Sequence, residues 1–260
     1  MAAIEFKGVL PEPCKVEIGP LDCIKRGFEL GKDQYWMQFL IAMIGIYFVH
    51  AATMGLLIGP FLCSIFIMLF DKMRGEKIVI DHLVRGVDCI WGALLASLAL
   101  WITLAIVSVP FILLSLAHFI FLIRALMNEA TALNAGLIAE LVLFGLAMQA
   151  GILLCTATVY VGFAFVFPLI AEYNPPFTMA LKTGLRAAWM NLVEITTLLV
   201  LLALIFFTVS FVTCGLGGFF YLPFAFAAMA AAHRKVFPDP TERNQNSEFN
   251  SEHYILNSEL

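Results

Sequence analysis

From Trp36 to Phe70 the chain is one apolar run in which Gln38 and His50 are the strongly polar exceptions. A membrane-spanning helix needs about 20 mostly apolar residues, so this run is too long for one helix and long enough for two. A turn is expected where His, Thr and Gly gather, at His50–Gly55. Three further runs follow. One starts near Cys89 and continues past Pro110, and one runs from Gly136 to Ala171. The last, Asn191 to Ala232, again fits two helices, with its turn at the glycine-rich Cys214–Gly218.

These runs exclude a soluble domain. Of the 260 residues, 62% are hydrophobic and 13% charged, against roughly 45–50% and about 25% in soluble domains. The mean hydropathy is +0.93. The surplus apolar surface must face lipid. A net charge of -4 gives no reason to expect nucleic acid. The six cysteines form no Cys-x-x-Cys pair or Cys/His metal cluster, so no metal site and no disulfide is expected.

Met1–Pro20 carries Glu5, Glu12 and Glu17 with no apolar core, unlike a secretory signal peptide. The first membrane segment is therefore expected to act as its own insertion signal. Residues 1–22 read as a polar cytoplasmic segment, 23–237 as a helical membrane domain, and 238–260 as a polar, disordered tail.

Basic residues cluster at Lys25, Arg26 and Lys32, at Lys72, Arg74, Lys77 and Arg85, at Lys182 and Arg186, and at Arg234 and Lys235. Basic loops are the cytoplasmic ones. All four clusters share a side if an even number of helices separates each pair. This predicts an all-α polytopic protein with about six spanning helices in three hairpins and both termini in the cytoplasm. The segment 110–144 fits less easily. A helix from Cys89 to Arg124 would be roughly 54 Å long, beyond the ~30 Å core. Either a kink at Pro110 leads into an embedded outer hairpin centred on Asn128–Asn134, or two extra short spans form.

A plan recurs before each hairpin. Ile24–Lys25–Arg26–Gly27 leads to Trp36, Leu83–Val84–Arg85–Gly86 to Trp91, and Leu181–Lys182–Thr183–Gly184 to Trp189. The middle copy is amphipathic, with Ile80, Leu83, Val84 and Val87 on one face and Asp81, Arg85 and Asp88 on the other. Each copy is expected to lie in the interface, with Trp at headgroup depth. The second helix of each hairpin holds a proline before an apolar residue: Pro60, Pro168 and Pro223.

Gly59–Pro60–Phe61 followed by Met68–Leu69–Phe70–Asp71–Lys72–Met73–Arg74–Gly75–Glu76, then Phe167–Pro168–Leu169–Ile170 before Ala180–Leu181–Lys182, and finally Pro223, together resemble a group of bacterial multi-pass inner-membrane proteins. These are domain-of-unknown-function families with an Arg-Gly-Glu loop after the second span. The resemblance covers Lys25 to Phe237, with 110–144 as a departure. It implies a bacterial inner membrane and about six helices, and no established activity.

Four residues stand out as binding candidates. Arg74 and Glu76 flank Gly75 and could bind a partner or a lipid headgroup, or could be a positive-inside anchor around a turn. Glu194 is a carboxylate about one turn inside a membrane segment. Gln149 reads as the most deeply placed amide, expected to bond a neighbouring helix. Arg124, Glu129 and Glu140 are expected to pair on the outer side. His50 and His118 do not match in depth as axial haem ligands should, so no cofactor is expected. No Gly-x-Ser-x-Gly, Walker or His-Glu-x-x-His motif occurs and no catalytic residue is identified, so an enzyme is the least favoured class. The expected function is a scaffold or accessory subunit of a membrane complex. The alternative is a transporter or lipid-handling permease. The expected partners are membrane lipid and other membrane-protein subunits.

Overall fold

The computed structural model describes residues 10–43, 57–79, 81–128 and 135–238. Among them the regular structure is all helical. The elements are α1 (Pro20–Lys32), α2 (Tyr35–Met43), α3 (Ile58–Met73), α4 (His82–Arg85) continued by a 3₁₀ turn (Gly86–Cys89), α5 (Ile90–Asn128), α6 (Ala135–Phe163), α7 (Val166–Tyr173), α8 (Phe177–Met190), α9 (Leu192–Val212) and α10 (Leu216–Val236). Among the described residues, four stretches are long and apolar enough to cross a membrane: Gly86–Arg124, Val142–Tyr173, Leu192–Val212 and Leu216–Val236. The turn expected at His50–Gly55, the loop centre 129–134 and the tail from 239 onward lie outside the described residues.

α3 is enclosed along its second half, with every residue from Cys63 to Asp71 buried. It packs against α7, the 3₁₀ turn, the start of α5 and α10. Small residues permit these close approaches, because lipid-facing helices gain little from apolar contact alone and must interlock. Gly59 meets Ala93 and Ser97 of α5, where a Cβ would lie 2.3 Å from the Ala93 carbonyl oxygen. Ala93, Ala96, Ser97 and Leu100 form the buried stripe of α5 at helical spacing.

The three motif glycines all sit at such contacts. A Cβ on Gly27 of α1 would lie 2.7 Å from the Ala228 backbone nitrogen of α10. One on Gly86 would lie 2.1 Å from the Pro60 carbonyl oxygen of α3, and one on Gly184 of α8 would meet Val166 at the start of α7. The first helix thereby closes on the last, since α1 and α10 make the most extensive helix contact. The motif tryptophans face outward: Trp36 is 71%, Trp91 76% and Trp189 69% exposed.

Several expectations need correction. Pro60 and Pro168 each stand third in their helices, within the first turn, where an amide N–H has no intrahelical partner. Pro60 starts α3 and does not break it, whereas Pro168 follows the turn at 164–165 that interrupts the Val142–Tyr173 stretch between α6 and α7, and Pro223 lies inside α10. α5 continues through Pro110 as one helix of 39 residues, so two extra short spans do not form there. At 1.5 Å per residue it is ~58 Å long, well past the ~30 Å core. α4 is a single turn followed by 3₁₀ geometry. Its buried face carries His82, Gly86 and Cys89, while Val84 and Val87 look outward.

The glycine contacts predict opposite signs at two positions. Gly27→Ala should overpack α1 against α10 and cost about 1–3 kcal/mol. Gly145→Ala, where a Cβ meets nothing within 4 Å, should gain up to ~1 kcal/mol from helix propensity. Thermal unfolding of the purified protein in detergent checks both; equal shifts would refute the close α1–α10 contact.

Candidate functional site: a buried ionic cluster

The apolar part of three helices ends on a charge. Phe70 is followed by Asp71 in α3, Ala171 by Glu172 in α7, and Ala232 by His233 and Arg234 in α10. Both carboxylates fall in the last turn of their helix, the end where the backbone dipole disfavours negative charge. Both side chains are also nearly fully buried, at 5% and 4% exposed. Each therefore needs cationic partners, and each has them.

Asp71 takes Arg74 at 3.2 Å, one turn along α3, and pairs with Arg85 from α4. His82 Nε2 lies 3.3 Å from Asp71, with its Nδ1 2.8 Å from the Val79 carbonyl oxygen. Glu172 takes Arg234 at 2.6 Å and His233 Nε2 at 2.9 Å. Arg74 reaches across to Glu172 at 3.7 Å and so bridges the two carboxylates. Aromatic rings wall the cluster. The Arg234 guanidinium lies 5.0 Å from the Phe70 ring centroid, and the His233 ring sits among Phe70, Phe165 and Phe237. These pairs bring the basic clusters around Arg74, Arg85 and Arg234 to one end of the molecule.

Arg74 can bridge because of the turn behind it. The Glu76 amide donates to the Asp71 carbonyl and the Gly75 amide to the Lys72 carbonyl, both at 3.0 Å. With Gly75 at φ +87°, this is a Schellman cap, and only glycine adopts that φ without strain. The Arg-Gly-Glu loop is thus a helix stop. Lys72 and Gln38 both donate to the Leu30 and Asp33 carbonyls, which fastens α3 and α2 to the end of α1.

The four candidate residues do not converge. Arg74 is central to the cluster. Glu76 is exposed on the adjoining loop and lines an open cavity of about 440 Å³ with Lys77, Asp81, His82, Arg85 and Asp88. Glu194 is half-buried in the first turn of α9 and lines a separate cavity. Gln149 is exposed on the surface of α6 and not buried at a helix interface as expected. A period-2 or 3.6 pattern cannot orient it, because α6 is apolar all round. Glu129 lies outside the described residues, while Arg124 and Glu140 are both exposed.

Sequence reasoning missed Asp71, Glu172, His82, His233 and Arg234 as a unit. Their signal was available: a charge immediately after a long apolar run is either at a water interface or paired. It also missed Asn191, buried between α8 and α9. Its amide accepts from the Val16 N–H at 3.1 Å and donates to the Cys14 carbonyl at 3.1 Å. This ties the extended segment before α1 to the α8–α9 junction.

Both carboxylates are taken up by guanidinium groups. Among the described residues no group of three His, Cys, Asp or Glu side chains could hold a metal ion. The fold and cluster define an all-helical protein with helices able to cross a membrane, locked at its charged end. Comparisons with protein families, curated proteins and solved structures find no match for this chain.

Two predictions follow from the geometry. Glu172→Gln should remove the buried carboxylate charge that Arg234 and His233 contact and cost about 3 kcal/mol, seen as a fall of roughly 6–10 °C in thermal midpoint; an unchanged midpoint would refute the locking role. Among the native thiols, Cys214 is exposed in the α9–α10 turn. Cys23 is buried, donates to the Ile18 carbonyl at 3.3 Å, and its pKa is raised by burial. Maleimide should label Cys214 rapidly and Cys23 only after unfolding, as mass spectrometry of the labelled peptides would record.

Proposed function

We propose that this protein is an integral membrane scaffold or accessory subunit of a membrane complex. In this reading about six helices span a bacterial inner membrane as three hairpins, each preceded by an interfacial helix, with both termini in the cytoplasm. The resemblance to bacterial inner-membrane families and the positive-inside pattern support that placement. The three glycine contacts support the threefold plan, because each motif glycine packs on the proline-bearing second helix of the preceding unit, the first closing on the third: Gly86 and Gly184 meet the starts of α3 and α7, and Gly27 meets the middle of α10.

The observation that carries the scaffold reading is the contrast between the two ends. The charged end is tied by ion pairs across α3, α7 and α10. From it the α5–α6 pair extends with an outer surface that is apolar nearly all round. Leu113 is 60% and Leu143 67% exposed. A helix ~58 Å long carries more apolar surface than a ~30 Å core can cover at an upright angle. The transmembrane helices of a partner subunit would cover the remainder. A lipid-handling permease is the second reading, favoured by the cavity at Glu194; the first-turn position of Pro60 removes part of its motivation.

Photo-crosslinking amino acids at Leu113 and Leu143, in native membranes, would test the proposal. A scaffold gives discrete protein adducts from both positions and few from Leu204 on α9, together with a native mass above the 28.8 kDa of one chain. Lipid adducts alone, with a monodisperse single chain in mild detergent, would defeat it.

A further inference from the structure

Two cavities meet at Trp189, and their linings differ in kind. One, of about 200 Å³, is an apolar cleft between α5, α6, α8 and α9, walled by Val159, Phe163, Leu185 and Trp189. Its two hydroxyl residues turn inward on their own helices. Thr103 donates to the Ala99 carbonyl at 2.7 Å, and Thr158 to that of Leu154 at 2.9 Å. Neither hydroxyl needs water in the cleft, so the surface offered is methyl groups. The second cavity, of about 540 Å³, is mixed: Lys15, Glu17 and Glu194 line it beside Trp189, Met190 and Val193. Trp189 and Leu192 belong to both.

We infer that this pair of cavities is a binding site for one phospholipid with a zwitterionic, ammonium-bearing headgroup. An acyl chain lies in the apolar cleft. The indole of Trp189, exposed and amphipathic, stands at the boundary between hydrocarbon and headgroup, the depth such rings prefer. Lys15 takes the phosphate, and Glu17 and Glu194 take the ammonium. The lining of one cation and two carboxylates complements a headgroup with both charges and disfavours one that is purely anionic. The polar half is positioned in advance, because Asn191 holds the backbone of Val16, between Lys15 and Glu17, against the start of α9. In this role Glu194 is a headgroup ligand, which also explains a carboxylate one turn inside an apolar helix. The inference needs only that the charged end meets the bilayer surface at Trp189, and it stands or falls apart from the scaffold reading.

Tryptophan quenching by brominated acyl chains tests it, with the full chain in nanodiscs. Brominated phosphatidylethanolamine and brominated phosphatidylglycerol are titrated in turn, and the Trp189 contribution is the part lost in Trp189→Phe. That part should be quenched at a mole fraction of the ethanolamine lipid at least about twofold lower than of the glycerol lipid, the scale of an interfacial charge contact. Glu194→Gln should remove the preference through the polar half, since the carboxylate meets the ammonium that only the ethanolamine lipid carries. Thr158→Phe, at an exposed position lining the cleft, should remove it by filling the apolar half. Equal quenching by the two lipids, a preference for the anionic one, or a preference that survives both substitutions would overturn the proposal.

Discussion

Two carboxylates buried at the wrong end of their helices set the terms for everything around them. Asp71 and Glu172 sit in last turns, where backbone carbonyls already concentrate negative charge, and both side chains are cut off from water. An unpaired charge there would be prohibitive. The chain answers with Arg74, Arg85, Arg234 and two histidines drawn from α3, α4 and α10. These residues meet only when the three helix ends are assembled. The cluster therefore ties local helix formation to one tertiary arrangement, and Arg74, touching both carboxylates, couples the two halves. A buried ionic network of this kind specifies geometry more than it adds stability.

Closure at the charged end reinforces that arrangement. Lipid supplies no hydrophobic drive for one helix to join another, so contact must come from close fit and polar bonds. Gly27, Gly86 and Gly184 let three short helices lie directly on neighbouring backbones. Asn191, Lys72 and Gln38 add hydrogen bonds to carbonyls and amides that would otherwise face lipid or a crowded interface. Beyond the charged end the fit loosens. α5 and α6 touch at Phe111 and Gly151 and at His118 and Phe144, and otherwise present Leu, Ile, Val and Phe outward.

Some of the candidate site was legible in the sequence and some was not. Arg74 and Glu76 stood out as the charged residues flanking Gly75, and the structure places Arg74 within the protein's own ionic cluster. Glu76, two positions on, is only the far side of a Schellman cap. Gln149 drew attention because an amide within a membrane run is costly to leave unbonded, yet it is exposed on α6. An all-apolar helix carries no amphipathic mark to show which face turns outward. Glu172 and His233 carry no mark of pairing in the sequence, where each simply follows an apolar run. Distinguishing an interfacial carboxylate from a paired one requires knowing what lies across from it, and Arg234 is 62 residues further along the chain.

The sequence by itself determined the solvent, the helical class and the positions of the charges. Those follow from the length of apolar runs and from local spacing, which act over a single helix. It also placed three Gly…Trp motifs whose tryptophans all face outward. What it could not decide is which helix each glycine touches, whether Pro60 starts a helix or interrupts one, and how far α5 runs past Pro110. Those depend on contacts between segments separated by up to the length of the chain. The tertiary structure alone chose them, because burying Asp71 and Glu172 is tolerable only where distant guanidinium groups arrive together.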